Sequence, residues 1–259
     1  MAHSFVFIHG LYMTKHSWQP WVDRFQRLGH EAQAIAWPGR DRSPEELRRS
    51  PDPELGRRTL AQVIDHHEAA IRALPAPPVI VGHSMGGLIT QVLLQRGLGA
   101  AGVAIDSAPP RGVVTLKWSF LKANWPALNF LRSGREPYVM PFEDFQYAFV
   151  NGMEIGAQRA IYEREAVPES LTIARGALTS TAQIDFARQR APLLLLAGST
   201  DTIIPASLNQ SNYRKYRVSP AVTDFKEFAG RNHFGVGAPG WEVLADYVLE
   251  WADRVAGGA

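Results

Sequence analysis

An α/β fold, a mostly parallel sheet with helices on both faces, is predicted by three observations. Apolar strand-like runs alternate with helical segments along much of the chain. The runs at residues 5–8, 78–81, 103–105 and 193–197 are almost continuously apolar, the pattern of strands buried on both faces. Most of these runs feed a loop that carries glycine beside a polar, chemically competent side chain. A chain of 259 residues is ample for one large core plus an insertion.

In chain order, residues 4–8 form the first strand, 18–28 the first helix and 30–37 the next strand. A proline- and arginine-rich connection covers 38–56. A helix is predicted over 57–74, with Leu60, Val63, Ile64, Ile71 and Leu74 at helical spacing on its buried face. Residues 79–81 are a strand, 88–94 lie in a helix, and 103–107 are the next strand. The composition then shifts. Between 109 and 190 the chain is rich in aromatics with no clear strand, which predicts a helical insertion. Strands at 193–197 and 222–228 and a last helix over 240–255 complete the alternation, giving a core of 1–108 and 191–259 around an insertion of 109–190.

Gly82-His83-Ser84-Met85-Gly86-Gly87 lies between a strand and a helix. A serine on so sharp a turn needs glycine neighbours for steric reasons, and the new helix aims N–H groups at any anion forming beside its hydroxyl. Further along, Asp201 follows the strand at 193–197, and His233 lies in the loop after 222–228. A serine hydroxyl is a poor nucleophile until an imidazole takes its proton, and the imidazole needs a carboxylate to fix its tautomer. His233 is the single histidine in the last two-thirds of the chain. Asp106, at the end of an earlier strand, is the second candidate for the acid. After the first strand, His9-Gly10-Leu11 turns so that the Leu11 N–H, with that of Met85, would form a two-donor oxyanion pocket.

These four spaced motifs, 5–11, 82–87, 198–205 and 230–234, resemble the α/β-hydrolase superfamily nearly end to end. The resemblance implies a Ser84–His233–Asp201 triad, an acyl-enzyme intermediate, and Leu11 and Met85 at the oxyanion hole. Because so few residues precede the first strand, it also implies a sheet trimmed to six strands and a cap inserted after the sixth family strand. The trimmed start resembles the branch of plant methyl esterases and hydroxynitrile lyases. In the lyases a threonine stands where this chain has Gly10, and a lysine follows the catalytic histidine where this chain has Phe234. Both departures favour an esterase. A serine nucleophile also sets the chain apart from the aspartate-dependent dehalogenases and epoxide hydrolases of similar architecture.

The expected activity is hydrolysis of a carboxylic ester or lactone of a small, largely apolar molecule. Two alternatives share the site: a cofactor-free perhydrolase or haloperoxidase-like enzyme, and a receptor-like ligand binder with slow turnover. Tyr12 and Trp18 near the oxyanion loop, and Trp118, Trp125 and Phe142 in the insertion, are the candidate substrate-binding residues.

No cofactor or metal is expected. Gly97-Leu98-Gly99-Ala100-Ala101-Gly102 matches a dinucleotide pattern, but it follows a helix and precedes a strand, the reverse of what a pyrophosphate needs. Adjacent helical residues such as Asp65-His66-His67-Glu68 point in different directions and cannot chelate one ion together. Asn209-Gln210-Ser211 fits a glycosylation acceptor, idle without secretion. The formal net charge of +2 makes no electrostatic case for nucleic acid. The absence of cysteine rules out disulfides and a thiol nucleophile. No charged-then-apolar leader and no membrane-length apolar stretch is read, so a soluble, cytoplasmic protein is expected. Oligomeric state is not set by these features. Activity should fall as His233 protonates, near its ordinary pKa of about 6.5.

Overall fold

The computed structural model describes residues 2–256. Six strands form one parallel sheet: β1 (Ser4–Ile8), β2 (Glu31–Ile35), β3 (Val79–His83), β4 (Ala101–Ile105), and, after the insertion, β7 (Leu193–Gly198) and β8 (Thr223–Phe228). Their spatial order is β2-β1-β3-β4-β7-β8, every neighbouring pair parallel. The six-stranded sheet matches the predicted fold class.

Alternation along each strand feeds two cores. Phe5, Phe7, Val79, Val81, Val103, Ile105, Leu194 and Leu196 point to one face, where they meet helices α1 (Gln19–Arg27) and α11 (Glu242–Ala256). Val6, Ile8, Ile80, Ala104, Leu193 and Leu195 point to the other. There they meet α3 (Leu60–Arg72), α4 (Met85–Gln95) and α10 (Ala206–Lys215).

Element ends follow local chemistry. The predicted helix over 57–74 starts at Leu60 because Thr59 and Gln62 form a capping box. The predicted helix at Trp18 begins one residue later, since Lys15–Trp18 is a 3-10 turn and Pro20 opens the α-helix. Within the proline-rich connection lies a short helix, α2 (Pro44–Arg49), capped reciprocally by Ser43 and Glu46. No helix is predicted from the sequence within 38–56, although Ser-x-x-Glu is a capping signature.

The insertion between β4 and β7 contains α5 (Trp118–Ala123), α6 (Trp125–Leu128), α7 (Phe142–Ala148), α8 (Ile155–Glu165) and α9 (Leu171–Gly176). It also contains a small antiparallel ladder of β5 (Pro137–Tyr138) and β6 (Glu169–Ser170), where no strand was predicted. Two residues are too few to show the period-2 alternation by which a strand is recognised.

Strand order reverses at β1, which has β2 on one side and β3 on the other. Crevices at the carboxyl ends of strands beside such a reversal are where open α/β sheets bind ligands. Gly10 and Ser84 follow β1 and β3 there.

Candidate active site

Ser84 occupies the turn between β3 and α4 with φ 57° and ψ −119°, a conformation costly for a residue with a side chain. Its backbone is held by four bonds. The Ser84 N–H donates to the Ile105 carbonyl at 2.9 Å, and its carbonyl accepts from Gly87, Leu88 and Ala108. The glycines are sterically required. A Cβ at Gly82 would lie 2.0 Å from the Gly86 carbonyl oxygen, and one at Gly86 would lie 2.2 Å from that of Ile8.

His233 is fully buried in the loop after β8, and its Nδ1–H donates to Asp201 Oδ2 at 2.6 Å. Asp201 Oδ1 accepts the Ile204 N–H at 2.8 Å, which fixes the carboxylate. His233 Nε2 is buried and makes no hydrogen bond, with Ser84 or any other side chain. Such a contact often tightens only when substrate is bound. Burial pushes the His233 imidazole down to about 3 and the Asp201 carboxyl well above its ordinary value, the latter opposed by the Ile204 and Ile203 N–H groups.

His83, beside the serine, was quoted in the sequence motif without a role. Its Nε2–H donates to the His233 carbonyl at 2.7 Å, tying the histidine loop to the serine turn. Asp106, the second candidate acid, instead accepts the Gly198 N–H at 2.7 Å through Oδ1. Burial, with the Asp201 charge next, holds Asp106 well above the ordinary carboxylate range. Ring nitrogens of His83 and His233 and an Asp106 oxygen gather within 4.8 Å. Since His83 Nε2 and Asp106 Oδ1 already hold backbone partners, this cluster reads as internal hydrogen bonding.

The insertion braces both loops. Asn232 Nδ2 donates to the Asn151 carbonyl, Asn151 Nδ2 to the Thr200 carbonyl, and the Phe234 N–H to the Phe149 carbonyl. The Phe149 ring meets the His233 ring edge-on at 5.0 Å. These contacts join segments 49 to 85 residues apart and have no signature in the sequence.

A cavity of about 280 Å³, lined mainly by apolar side chains, has Leu11, Tyr12, Ser84 and Met85 on its core side. Phe120, Leu128 and Phe149 face it from the insertion, with Ile203 and Ile204 beside them. Met85 opens α4, so its N–H has no acceptor within the helix. Gly10, just before Leu11, packs directly on Ser84: a Cβ there would lie 2.7 Å from Ser84 Cβ and 3.2 Å from Oγ.

Of the candidate substrate-binding residues, the structure brings Tyr12 to the cavity and places the others elsewhere. Trp18 is buried in the core between Phe7 and Trp21. Trp118 and Trp125 are 75% and 61% exposed and line an outer groove instead. Phe142 packs edge-on against Tyr162 under the Arg159 guanidinium. Phe120, two residues after Trp118 on α5, turns inward in its place. A helix of six residues is too short for periodicity to tell its faces apart.

The remaining motifs resolve structurally. Gly97 and Gly99 take positive φ in the turn from α4 to β4. Asp65 and Glu68 pair with Arg96, while His67 is buried. Asn209 is buried on α10.

A family model described as the alpha/beta hydrolase family matches residues 5–246. An extracellular alpha/beta-hydrolase from a Paenibacillus species, described as sharing homology with tobacco salicylic acid binding protein 2, superposes with a TM-score of 0.72 at 20% identity, covering 96% of this chain and 98% of that one. An Arabidopsis methylesterase superposes with a TM-score of 0.71 at 12% identity over 98% and 100% of the two chains. Polyneuridine aldehyde esterase does so with 0.67 at 16% over 98% and 100%. No curated protein matches the chain in sequence.

Proposed function

The chain belongs to the alpha/beta hydrolase family, and on that premise we propose that it is a serine hydrolase cleaving a carboxylic ester or lactone of a small, largely apolar substrate. The observation that carries this reading is the buried His233–Asp201 hydrogen bond, with His233 Nε2 left without a partner, together with Ser84 on the wall of an apolar cavity. Two of the similar structures are named esterases, which supports an ester as the substrate.

In this mechanism His233 Nε2 takes the Ser84 proton as Oγ attacks the substrate carbonyl. Asp201 holds the Nδ1–H tautomer and stabilises the imidazolium that forms. The Leu11 and Met85 N–H groups receive the oxyanion. The imidazolium then protonates the leaving alkoxide, leaving an acyl group on Ser84. Water, deprotonated by His233, releases the acid and restores the hydroxyl. Both oxyanion donors are backbone groups set by the turns after β1 and β3, so they need no reorganisation during the reaction.

Hydrolysis of p-nitrophenyl esters of short to long acyl chain, by wild type and Ser84→Ala side by side, tests the reading. Wild-type turnover lost by more than about a thousandfold in the variant is expected. Equal, feeble rates in both proteins would remove simple esters as substrates.

A further inference from the structure

Large exposed apolar side chains are concentrated on one stretch of the insertion. Val114, Leu116, Trp118, Trp125, Phe130 and Leu131 all lie within it, Leu116 being 89% and Leu131 99% exposed. Exposed apolar side chains gathered in this number within one segment mark an interaction face.

The charge on the same stretch has one sign. Residues 109–135 contain Arg111, Lys117, Lys122, Arg132 and Arg135 and no aspartate or glutamate. All five cations are exposed, and among the described residues none forms an ion pair with a carboxylate, whereas nine arginines elsewhere do. Lys122 and Arg132 instead lie over the rings of Tyr147 and Tyr138. The nearby acids are Glu136, next in sequence, and Asp144, in the outer groove.

This face is also the cavity's wall. Exposed Val114 and Arg111 line the cavity that holds Ser84, and Pro126 and Leu128 separate that cavity from the outer groove of Trp118 and Trp125. Apolar side chains interleaved with unpaired cations are the composition of a surface that lies in a bilayer interface and favours anionic headgroups.

We propose that residues 111–135 seat this protein on an anionic lipid surface, so that the cavity draws its substrate from the lipid phase. The seating rests on the surface alone; the delivery of substrate rests on the ester-hydrolase reading above. Esters that partition into lipid, rather than freely dissolved ones, are then the substrate class.

The full chain is tested by flotation with vesicles of zwitterionic phospholipid alone or mixed with phosphatidylglycerol, at low and high salt. Of seven tryptophans only Trp118 and Trp125 are exposed, so they serve as reporters. Wild type should float with the anionic vesicles, shift its tryptophan emission to the blue, and be quenched by brominated acyl chains. High salt should weaken binding. Leu116→Ser/Leu131→Ser and Lys117→Glu/Arg135→Glu should each bind about tenfold or more weakly, with thermal unfolding showing that both remain folded.

No flotation with anionic vesicles, no quenching, or binding indifferent to lipid charge would overturn the proposal. So would a dimer in sedimentation that Leu131→Ser dissociates without any vesicle binding, which would assign the face to a second copy. Binding is read without turnover, so failure here and failure of the Ser84 test are separate results.

Discussion

The Glu169 carboxylate accepts the backbone N–H of Tyr12 through Oε2 at 3.0 Å, a contact 157 residues long in sequence. The Val167 N–H donates to the Tyr12 carbonyl at 3.0 Å, so both backbone groups of Tyr12 are held by the insertion. Tyr12 has φ 63°, a left-handed conformation unusual for a residue with a bulky side chain. The turn after β1 that carries Leu11 is therefore held in shape by the insertion. Glu169 is in turn paired with Arg40 at 2.6 Å, both buried, and burial raises its carboxyl above the ordinary value while Arg40 opposes this.

Replacing Glu169 by glutamine leaves the Arg40 guanidinium buried without a counter-charge. Glu169→Gln should lose about 3–5 kcal/mol of stability, read by urea unfolding. Arg40→Met/Glu169→Gln should recover part of that loss, because no charge remains unpaired. A double variant no more stable than the single would show that the ion pair is not the source.

Asp201 and Asp106 are expected to behave differently. Asp201→Asn no longer holds the His233 Nδ1–H tautomer and should lower kcat by about 10³–10⁴-fold. Asp106 Oδ1 holds the Gly198 N–H, whereas Asp201 Oδ2 holds the His233 ring. Asp106→Asn keeps an oxygen acceptor for the Gly198 N–H and should cost less than about tenfold. Reversed magnitudes in steady-state kinetics would give the acid's role to Asp106.

A side chain at Gly10 must displace Ser84 or the turn itself, given the 2.7 Å approach. Gly10→Ala should lower kcat by about a hundredfold, since misplacement of a nucleophile by about 1 Å is that costly. A variant with wild-type kcat would mean that the serine turn has room to yield.

The pH profile reports how His233 is buried. The neutral imidazole is the competent base, so a lowered pKa moves the acid limb to lower pH. With burial pushing His233 down to about 3, kcat should hold as pH falls through 6.5, the value expected from sequence. A limb at or above 6.5 would show that an ionised Asp201 outweighs burial.

His67 gives a separate effect on stability. Burial lowers its pKa from 6.5 to about 4, against the opposing effect of backbone partners at Val63 and Ile35. The unfolded chain takes up the proton first, so this contribution to stability is full above 6.5 and declines as pH falls towards 4. The decline should approach about 3 kcal/mol. In His67→Gln, whose side chain does not titrate, that part of the slope of unfolding free energy against pH should disappear.

The sheet, the serine turn and the Asp201 and His233 loops were legible because each depends on local pattern. A buried parallel strand must be apolar, and the Ser84 turn excludes a Cβ at Gly82 and Gly86. The pairing of His233 with Asp201 was expected too, and the two side chains are hydrogen-bonded. What tertiary structure decided is which side chains face the cavity and what braces it. Trp118 and Phe120 are two residues apart with the same kind of side chain, yet one faces outward and the other lines the cavity. The bonds from Glu169 to Tyr12 and from His83 to the His233 carbonyl are equally non-local. Short helices carry too few residues to define a buried face, and contacts between distant segments are set by how the insertion packs on the core, which no local pattern encodes.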